Sequence, residues 1–568
     1  MEVDKLVILG FRNFSDATIN FNGSTLVIGA NDVGKTNLVY ALRLLLDKTL
    51  SDRDIEPNET DFHIAADGNQ VDEFSVTIFF KNIVEDAALS VLKGHVSDDD
   101  GSVFKIEANR KTLDYEIYVG ASEGVLELKP SRYYLKYINM RYVKSQRDLL
   151  KFINSEKKQL LKLSQENLEA DEIDSDEKVL NKIARGLDVI NERVRRLNYV
   201  RASTTLVNDE LKKISYSYDE YAVHLDSGAI KVHQFIDNLE LGASTSGSRL
   251  MLGGDGKNNQ ILLALWKAKS EREHDPEYEV TFYCVEEPEA HLHPHQQRKL
   301  ADYLIGHLPG QTIITSHSPQ IAARYEPESI VHIINQAGGS RAASNGCSDC
   351  VSDAWDGLGY RMSILPAEAF FSSCVLLVEG PSELLLYQEL ADALGINLVY
   401  FNISILSVDG IAFRVYTSIL DALEIPWVMR TDNDVSKVPR IEEKQLVGIN
   451  RCLRIAELTA YPNYTMETTA QGLVENGIWQ VVSDQVNPKG IFLSKIDLEH
   501  DLYHELPDDL LAYSGKANAA DAIAYLQDKK AIRMREFIAE KRASLPLLDV
   551  GTIALPLKYA RNLVQRGQ

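Results

Sequence analysis

One glycine-rich segment restricts the fold of this chain more than any other feature. Residues 29–36 read GANDVGKT, follow the apolar run STLVI and precede the helical pattern LVYALRLLL. This order matches strand, GxxxxGK[ST], helix, in which backbone N–H groups and a helix N-terminus bind phosphate groups. The segment therefore predicts an α/β domain that binds a nucleotide.

Individual residues of this segment have distinct expected roles. Lys35 is expected to reach the β- and γ-phosphates of ATP, and the Thr36 hydroxyl to bind Mg²⁺. The glycines let backbone N–H groups turn toward the phosphates. The predicted nucleotide-binding residues of the segment are Gly29, Asn31, Gly34, Lys35, Thr36 and Asn37.

Two later motifs each end an apolar strand. In VEEPE, Glu286 is placed to hold Mg²⁺ through water, and Glu287 to polarise the attacking water as the ATPase catalytic residue. In TSHSP, His317 is placed to sense the γ-phosphate. The motif order resembles the ABC-type ATPase heads of the SMC and RecF families.

Such heads hydrolyse ATP between two subunits, with a signature loop that acts in trans. The candidate loop is LGGDGK at 252–257, where Gly254 and Gly256 supply backbone donors before a helix. Gly253 stands where that family has a serine. Slow hydrolysis, or ATP as a sensed ligand, therefore stays open beside fast turnover.

A helical segment interrupts the ATPase motifs. Leu180, Ile183, Leu187, Ile190, Val194 and Leu197 recur at spacings of three and four, as in a heptad seam. A dimerising, coiled-coil-like insertion and a single amphipathic helix on its own domain are equally good interpretations. The acidic stretch 164–178 is expected to be a solvated loop.

Acidic residues follow two strands in the C-terminal third. CVLLVEGPSE carries Glu379 and Glu383, and IPWVMRTDND ends in Asp432 and Asp434. These elements resemble the Toprim domain of topoisomerases, primases and some nucleases. Carboxylates at the carboxyl ends of parallel strands converge on one crevice, and such oxygen ligands suit two Mg²⁺ or Mn²⁺ ions.

A third acidic element, LSKIDLEHDL, places Asp497, Glu499 and Asp501 on one face if the segment is extended. Lys529 and Lys530 follow on a helix-like segment. A lysine beside two metals would stabilise the charge of a cleaved phosphate. A basic, solvated helix face is an equally good interpretation.

Composition limits the surroundings and the partners of the chain. The 568 residues carry a net charge of −23, so DNA can bind only at a local basic patch or at metal ions. Five cysteines, no signal sequence and no long apolar run favour a cytoplasmic protein without a membrane partner. The candidate DNA contacts are Arg430, Lys437, Arg440, Arg451, Arg454, Lys529, Lys530, Arg533 and Arg535.

An ATPase head followed by a Toprim domain resembles the OLD (overcoming lysogenization defect) nucleases, and most closely those of Gabija anti-phage systems. The segments GANDVGKTN, VEEPEAHLH, TSHSP, VLLVEGPSE, RTDNDVSK, GINRCL and FLSKIDLEHDLY carry the resemblance. It implies metal ligands at the first two acidic pairs and at Asp497 and Glu499. It implies nuclease catalytic residues Glu379, Asp432, Asp497 and Lys530, with Lys529 as the near alternative to Lys530.

The resemblance also implies the domain organisation and the partners. It divides the chain into an ATPase head (1–146 and 241–345), a helical dimerisation insertion (147–240), a linker (346–372) and a Toprim nuclease domain (373–568). It implies ATP, one metal ion at the ATP site, and a dimer or tetramer that cuts double-stranded DNA. The accessory protein would be a UvrD-like helicase, or a reverse transcriptase with its DNA product.

The resulting prediction is a nucleotide-regulated, metal-dependent DNA endonuclease of phage defence. Three alternatives remain. A retron effector nuclease has the same architecture, a strand-passage or primase enzyme shares the Toprim fold, and a non-nucleolytic repair ATPase would keep the Toprim domain only as a scaffold.

Overall fold

A computed structural model describes residues 1–144, 149–214, 242–245, 248–251, 261, 264–265, 267–268, 278–290, 292–336, 338–347, 367–408 and 413–567. The described residues fall into two compact units. The larger unit lies within Met1–Val143, Glu277–Glu289 and Pro294–Gln568, and the smaller within Lys144–Pro276 and Ala290–His293.

Two six-stranded sheets form the N-terminal part of the larger unit. Their strands are β1 (Glu2–Phe11), β2 (Phe14–Asn20), β3 (Ser24–Ile28), β4 (Glu73–Lys81), β5 (Ser102–Asn109), β6 (Asp114–Ser122), β7 (Val125–Lys129), β8 (Ile138–Val143), β11 (Val280–Glu286), β12 (Thr312–Thr315), β13 (Ile330–Gln336) and β14 (Gly339–Ala342). The intervening strands β9 (Gly242–Thr245) and β10 (Ser248–Met251) belong to the smaller unit. One sheet has the order β2-β1-β4-β5-β6-β7 and is antiparallel throughout.

The other sheet positions the nucleotide motifs. Its order is β14-β13-β3-β12-β11-β8, and only β14 runs antiparallel to its neighbour. Strand β12 therefore lies between β3, which leads into the glycine-rich loop, and β11, which ends in Glu286. The carboxyl ends of these three neighbours meet at one edge, as a nucleotide site in a parallel sheet requires.

Helix α1 lies in the apolar core of this part. The helices here are α1 (Lys35–Leu46), α2 (Asp52–Ile55) and α3 (Asp86–Val91). Leu38, Val39, Leu42 and Leu45 of α1 are fully buried in a cluster that also takes side chains from both sheets. This burial fixes the start of α1 relative to the glycine-rich loop.

The smaller unit is largely helical. It contains α4 (Leu149–Glu166), α5 (Ala170–Arg195) and α6 (Asn198–Ile214). The expectation of a solvated loop over 164–178 is wrong, because α5 begins at Ala170. Glu169 and Glu172 form a capping box there, and acidic residues in a first turn are favoured by the helix dipole.

The predicted heptad seam lies mostly on α5. Leu187 is 8% exposed, whereas Ile190 is 51% exposed, so the seam is only partly covered within this chain. Leu197 lies beyond the end of α5. The choice between a dimerising surface and an intramolecular one therefore stays a prediction.

The C-terminal part of the larger unit contains a parallel sheet between helices. Its strands are β15 (Cys374–Val378), β16 (Ile403–Ser407), β17 (Trp427–Thr431), the hairpin β18 (Val435–Lys437) and β19 (Lys444–Leu446), and β20 (Ile491–Leu493). The parallel order is β16-β15-β17-β20. The acidic segments after β15, β17 and β20 thus leave the same edge of the sheet.

Helices bury this sheet through a second apolar core that includes Leu376, Leu386 and Val428. The helices of the larger unit after residue 290 are α7 (Pro294–His307), α8 (Pro319–Ala322), α9 (Pro381–Ala393), α10 (Phe413–Ala422), α11 (Val447–Ile455), α12 (Ala470–Glu475), α13 (Ile478–Val486), α14 (Leu498–Glu505), α15 (Pro507–Ser514), α16 (Ala519–Gln527), α17 (Lys530–Lys541) and α18 (Leu555–Gly567). Across the parts of the chain described above, no helix has the length and apolar character of a membrane span.

Candidate nucleotide site and candidate metal centre

The glycines of the first motif occupy positions that exclude a side chain. Gly29 has φ 151° and Gly34 has φ 104°. A Cβ atom on Gly29 would lie 2.5 Å from the Ile333 carbonyl oxygen, and one on Gly34 would overlap the amide of Asn13. The tight packing of the loop against β13 and the β1–β2 turn therefore requires glycine.

Lys35 is buried and turned back onto its own loop. Its Nζ donates to the carbonyl oxygens of Gly29 (3.0 Å) and Ala30 (2.7 Å). Burial lowers the Lys35 pKa to about 8, against the charges of Glu287, Asp32 and nearby acids that raise it. A polyphosphate would replace these carbonyl oxygens as the acceptor of the ammonium.

Asn37 belongs to a polar network behind the loop. It donates to Asn13 Oδ1 (2.6 Å) and accepts from Arg12 Nη1 (3.0 Å). Asn13 in turn donates to the Val33 carbonyl at 2.7 Å. Asn37 thus holds the loop in place through these contacts, while Asn31 and Thr36 are exposed beside it.

Glu286 fits a cation site. It is 2% exposed, its Oε2 accepts from Tyr142 at 2.6 Å, and its Oε1 is buried without a hydrogen-bond partner. A buried carboxylate oxygen without a partner is costly unless a cation or water binds it. The residue at this strand end therefore suits the Mg²⁺ that accompanies a nucleotide.

The next acids connect the two strand ends. Glu287, at φ 44°, has its Oε1 3.3 Å from His317 Nε2. Glu289 accepts from Ser316 Oγ (2.7 Å) and from the His317 backbone N (2.8 Å). Burial, and then the Lys35 charge, lower the His317 pKa. Sequence reasoning missed Glu289, which the motif VEEPE contains and which positions the histidine.

The candidate signature loop lies outside the described residues, and so do Gly254 and Gly256. Their predicted role in nucleotide binding stays a prediction.

Glu379 is the most heavily bonded acid at the second strand edge. One oxygen, Oε1, accepts from the Asp432 backbone N at 2.9 Å, from Thr431 Oγ1 and from Arg451 Nη1. The end of β15 is thereby tied to the end of β17 and to α11. Glu379 and Asp432 are brought together as the sequence predicted.

Asp432 and Glu383 are buried acids in this crevice. Asp432 is 8% exposed, and burial together with the charges of Glu379 and Glu383 raises its pKa well above the ordinary value. Glu383 is 7% exposed, and burial raises its pKa to about 7. The Arg430 charge only partly opposes these shifts, and a divalent cation would oppose them further.

Asp434 lies at the more open side, with about half of its side chain exposed. Its Oδ2 is 3.5 Å from Arg451 Nη2. Burial and the Glu379 charge raise the Asp434 pKa, and Arg451 opposes them. Arg451 was a predicted DNA contact, but in the structure its guanidinium bonds these acids.

The third acidic element is helical, so the extended alternation proposed for it is wrong. Asp497 caps α14 by accepting from the His500 backbone N (2.9 Å) and side chain (2.6 Å), and it also accepts from Gln527 at 2.7 Å. Burial alone would raise the Asp497 pKa, but these hydrogen bonds outweigh it and lower the pKa. Glu499 lies one position into the helix and is 1% exposed.

Lys530 joins this group of acids. Its Nζ is 3.7 Å from Glu499 Oε2, which has no hydrogen-bond partner. Burial would lower the Lys530 pKa, but the charges of Glu499, Asp432 and Asp497 outweigh it and raise the pKa. Lys529, with φ 66°, caps the same helix, α17. The structure thus brings Lys530 to the acidic crevice.

Two other predicted residues have structural partners. Arg430 is 4% exposed and donates to Asp501 Oδ2 (2.6 Å) and to Tyr387 OH (2.8 Å). Its prediction as a DNA contact is wrong, because a fully buried guanidinium cannot meet a phosphate. Asp501 correspondingly belongs to this buried ion pair rather than to an exposed acidic face.

The donor chemistry of the crevice suits hard divalent cations. Its acids supply carboxylate oxygens, and the Glu499 Oε2 atom is buried without a hydrogen bond. Within the described ranges, no three His, Cys, Asp or Glu side chains already stand as a formed metal-binding group. The cations that contact the acids are instead Arg451 and Lys530.

Two family profiles match the chain. Residues 24–323 match the family described as AAA domain, putative AbiEii toxin, Type IV TA system, and residues 370–434 match the Toprim domain of proteins like the overcoming lysogenization defect protein. The chain belongs to this AAA-domain family. In this chain the ATPase domain precedes an OLD-like Toprim domain.

With its OLD-like Toprim domain, the chain is similar to Endonuclease GajA of Bacillus cereus (strain VD045). The two are 26% identical over 568 residues, which is 95% of each chain. The uncharacterized protein YbjD of Escherichia coli (strain K12) is 24% identical over 184 residues, 32% of this chain and 33% of that protein. The expected fold, an ATPase head followed by a Toprim domain, is confirmed.

Solved SMC head domains are also similar to part of the chain. The SMC head bound to the C-terminal winged-helix domain of ScpA is 17% identical and has a TM-score of 0.38, over 60% of this chain and 97% of that one. The SMC head domain from Thermotoga maritima is 14% identical with a TM-score of 0.30, over 60% and 98%.

Proposed function

We propose that this protein is a nucleotide-regulated, divalent-metal-dependent DNA endonuclease of an anti-phage defence system. The observation that carries the proposal is the crevice in which Glu379, Asp432, Glu383, Glu499 and Lys530 meet at one sheet edge. The similarity to Endonuclease GajA supports an endonuclease activity.

Two Mg²⁺ or Mn²⁺ ions would be held by the six acids of the crevice. When bound, they supply an activated water and neutralise the leaving oxygen of a phosphodiester. Lys530 would stabilise charge on the cleaved phosphate. The proposed metal ligands are Glu379, Glu383, Asp432, Asp434, Asp497 and Glu499, of which Glu379, Asp432 and Asp497 act in catalysis with Lys530.

The head would bind ATP with its own Mg²⁺. Lys35 and Thr36 would meet the phosphates and the ion, Glu286 would hold the ion, and Glu287 would polarise the water with His317 beside it. A cavity of about 600 Å³ lies beside Asn37, the residue after the glycine-rich loop, and is large enough for a nucleoside. It is lined in part by Arg12, Asn13, Asn37, His63, Asn335 and Gly339.

A direct joint between head and Toprim domain supports nucleotide control. On the head, β13 and β14 carry His332 and Arg341. Arg341 donates to both oxygens of Glu424 (2.7 and 2.5 Å), and His332 Nδ1 lies 2.7 Å from the Leu423 carbonyl. Residues 423–424 lie shortly before β17, the strand that Asp432 follows.

A shift of β13 can reach the crevice through this joint. Strand β13 pairs with β3. Its Ile333 carbonyl oxygen would lie 2.5 Å from a Cβ atom on Gly29, so the strand packs closely against the glycine-rich loop. A change in the loop on nucleotide binding would thus move the base of β17. We infer that ATP acts on cleavage through this contact.

The assembly and context of the nuclease remain part of the proposal. The partly exposed seam of α5 favours a homodimer or tetramer, and the predicted boundaries 1–146, 147–240, 241–345, 346–372 and 373–568 describe each subunit. Double-stranded DNA in the cytoplasm is the proposed substrate. A UvrD-like helicase, or a reverse transcriptase with its DNA product, is the proposed accessory partner.

Cleavage of supercoiled plasmid by the purified chain tests the nuclease. Glu379→Ala should abolish nicking and linearisation in Mg²⁺ or Mn²⁺, while Glu475→Ala, on an exposed face of the same domain, should cut like wild type. Lys35→Ala should cut but lose its response to ATP. Undiminished cutting by Glu379→Ala would refute the assigned site.

A further inference from the structure

The motif GINRCL docks one helix directly on the acidic crevice. A Cβ atom on Gly448 would overlap the Asp432 carbonyl oxygen and lie 2.8 Å from the Asp434 nitrogen. The Gly448 N–H donates to the Asp434 carbonyl at 3.1 Å. Close approach of α11 is therefore possible only with glycine at this position.

This docking places Arg451, one turn further along α11, inside the crevice. Its Nη1 donates to Glu379 Oε1 and Thr431 Oγ1, and its Nη2 is 3.5 Å from Asp434 Oδ2. The side chain is only 17% exposed. The guanidinium thus bridges acids that follow two different strands.

We propose that Arg451 is an internal counter-ion that occupies a cation position of the crevice and competes with the divalent metal. The inference deepens the proposed function and rests on it. Glu379 already uses Oε1 for three donors, so metal binding at that atom requires Arg451 to leave.

Arg451 also balances negative charge in a crevice rich in acids. Buried carboxylates without positive charge repel one another, and Arg451 reduces that repulsion until a metal arrives. A guanidinium retains its charge at all ordinary pH values, so it can then pair with a phosphate. Arg451 thereby lowers metal affinity and frees a phosphate-binding group only when metal is bound.

Mn²⁺ affinity of the intact chain, measured by electron paramagnetic resonance, tests this inference. Arg451→Met should bind Mn²⁺ at least about tenfold more tightly, because one partly buried ion pair no longer competes. Arg451→Lys should lie between the two, since it keeps the charge without the fork. Arg454→Met makes the same charge change at an exposed site of α11 and should match wild type in Mn²⁺ affinity.

The outcomes separate this inference from the nuclease assignment. Equal or weaker Mn²⁺ binding by Arg451→Met that melts like wild type would overturn it, because Arg451 would then orient Glu379 for the metal. If that variant does not fold, equal or weaker binding by Arg451→Lys has the same meaning. If Arg454→Met bound Mn²⁺ as much more tightly as Arg451→Met, the gain in affinity would come from the change in net charge, and the inference would be overturned.

Plasmid cleavage at saturating Mn²⁺ is measured on the same proteins. Wild type that binds Mn²⁺ and cuts DNA upholds the proposed function whatever the Arg451 variants do. Absence of Mn²⁺ binding in both wild type and Arg451→Met would overturn the inference together with the metal chemistry proposed for the site.

Discussion

Replacement of Gly448 by alanine should disable the proposed metal centre while leaving the rest of the protein folded. The new Cβ would overlap the Asp432 carbonyl oxygen and lie 2.8 Å from the Asp434 nitrogen and 2.9 Å from the Asn433 Cα. Real Cβ contacts begin above 3 Å, so the D-N-D backbone must move away from α11 by about 1 Å.

A shift of that size acts on two of the proposed metal ligands at once. Misplacement of reacting groups by about 1 Å costs on the order of 100-fold in rate. The overpacking itself should destabilise the chain by about 1–3 kcal/mol. We therefore expect Gly448→Ala to cut plasmid about 100-fold more slowly, with ATP affinity unchanged because the glycine-rich loop is not touched.

A matched glycine separates this effect from a general one. Gly306 lies near the end of α7 with nothing within 4 Å of its Cβ position, so Gly306→Ala should stabilise the chain by about 0.5–1 kcal/mol and leave cleavage unchanged. Cleavage assays and thermal unfolding of both variants provide the comparison. Wild-type cleavage rates in a folded Gly448→Ala protein would refute the argument from close packing.

Three further changes test other parts of the structure. Arg430→Met leaves Asp501, which is 3% exposed, without its partner and should lower the free energy of unfolding in urea by about 3–5 kcal/mol; a loss below 1 kcal/mol would contradict the buried ion pair. Because the Lys35 pKa is about 8 before nucleotide binds and phosphates favour the charged ammonium, ATP affinity in calorimetry should fall as the pH rises through 8, and affinity that is flat to pH 9 would contradict this. Glu424→Gln weakens the bidentate contact with Arg341 and should reduce the effect of ATP on cleavage several-fold without changing ATP affinity; an unaltered ATP response would remove the joint from the pathway.

The local features of the sequence indicated where both candidate sites lie along the chain. The apolar runs before Gly29, Glu287, Glu379 and Asp432 are strands, since β-branched and apolar runs bounded by turns need little tertiary help to form. Parallel pairing then brings their carboxyl ends to shared edges. The pairing of acidic segments within one crevice could be argued from that rule alone.

Features that depend on packing were predicted poorly. The acidic stretch 164–178 contains a helix start because Glu169 and Glu172 cap it, and an excess of charge had suggested a loop. Asp497 looked like an extended position but caps α14, and Glu289 was overlooked beside two more obvious acids. In each case a specific hydrogen bond decides the structure, and general rules of composition and alternation do not predict that bond.

The sequence alone determined the order of the elements, the glycine-rich loop and the strand ends that acidic residues follow. These features depend on residues that are adjacent in the sequence. Only the tertiary structure decided which charges meet. Arg430 and Arg451 are both arginines beside acidic motifs, yet the first is buried against Asp501 and the second spans Glu379 and Asp434. The ion-pair partner of a long charged side chain depends on helices that pack together from distant parts of the chain. The periodicity and spacing of the sequence therefore do not predict that partner.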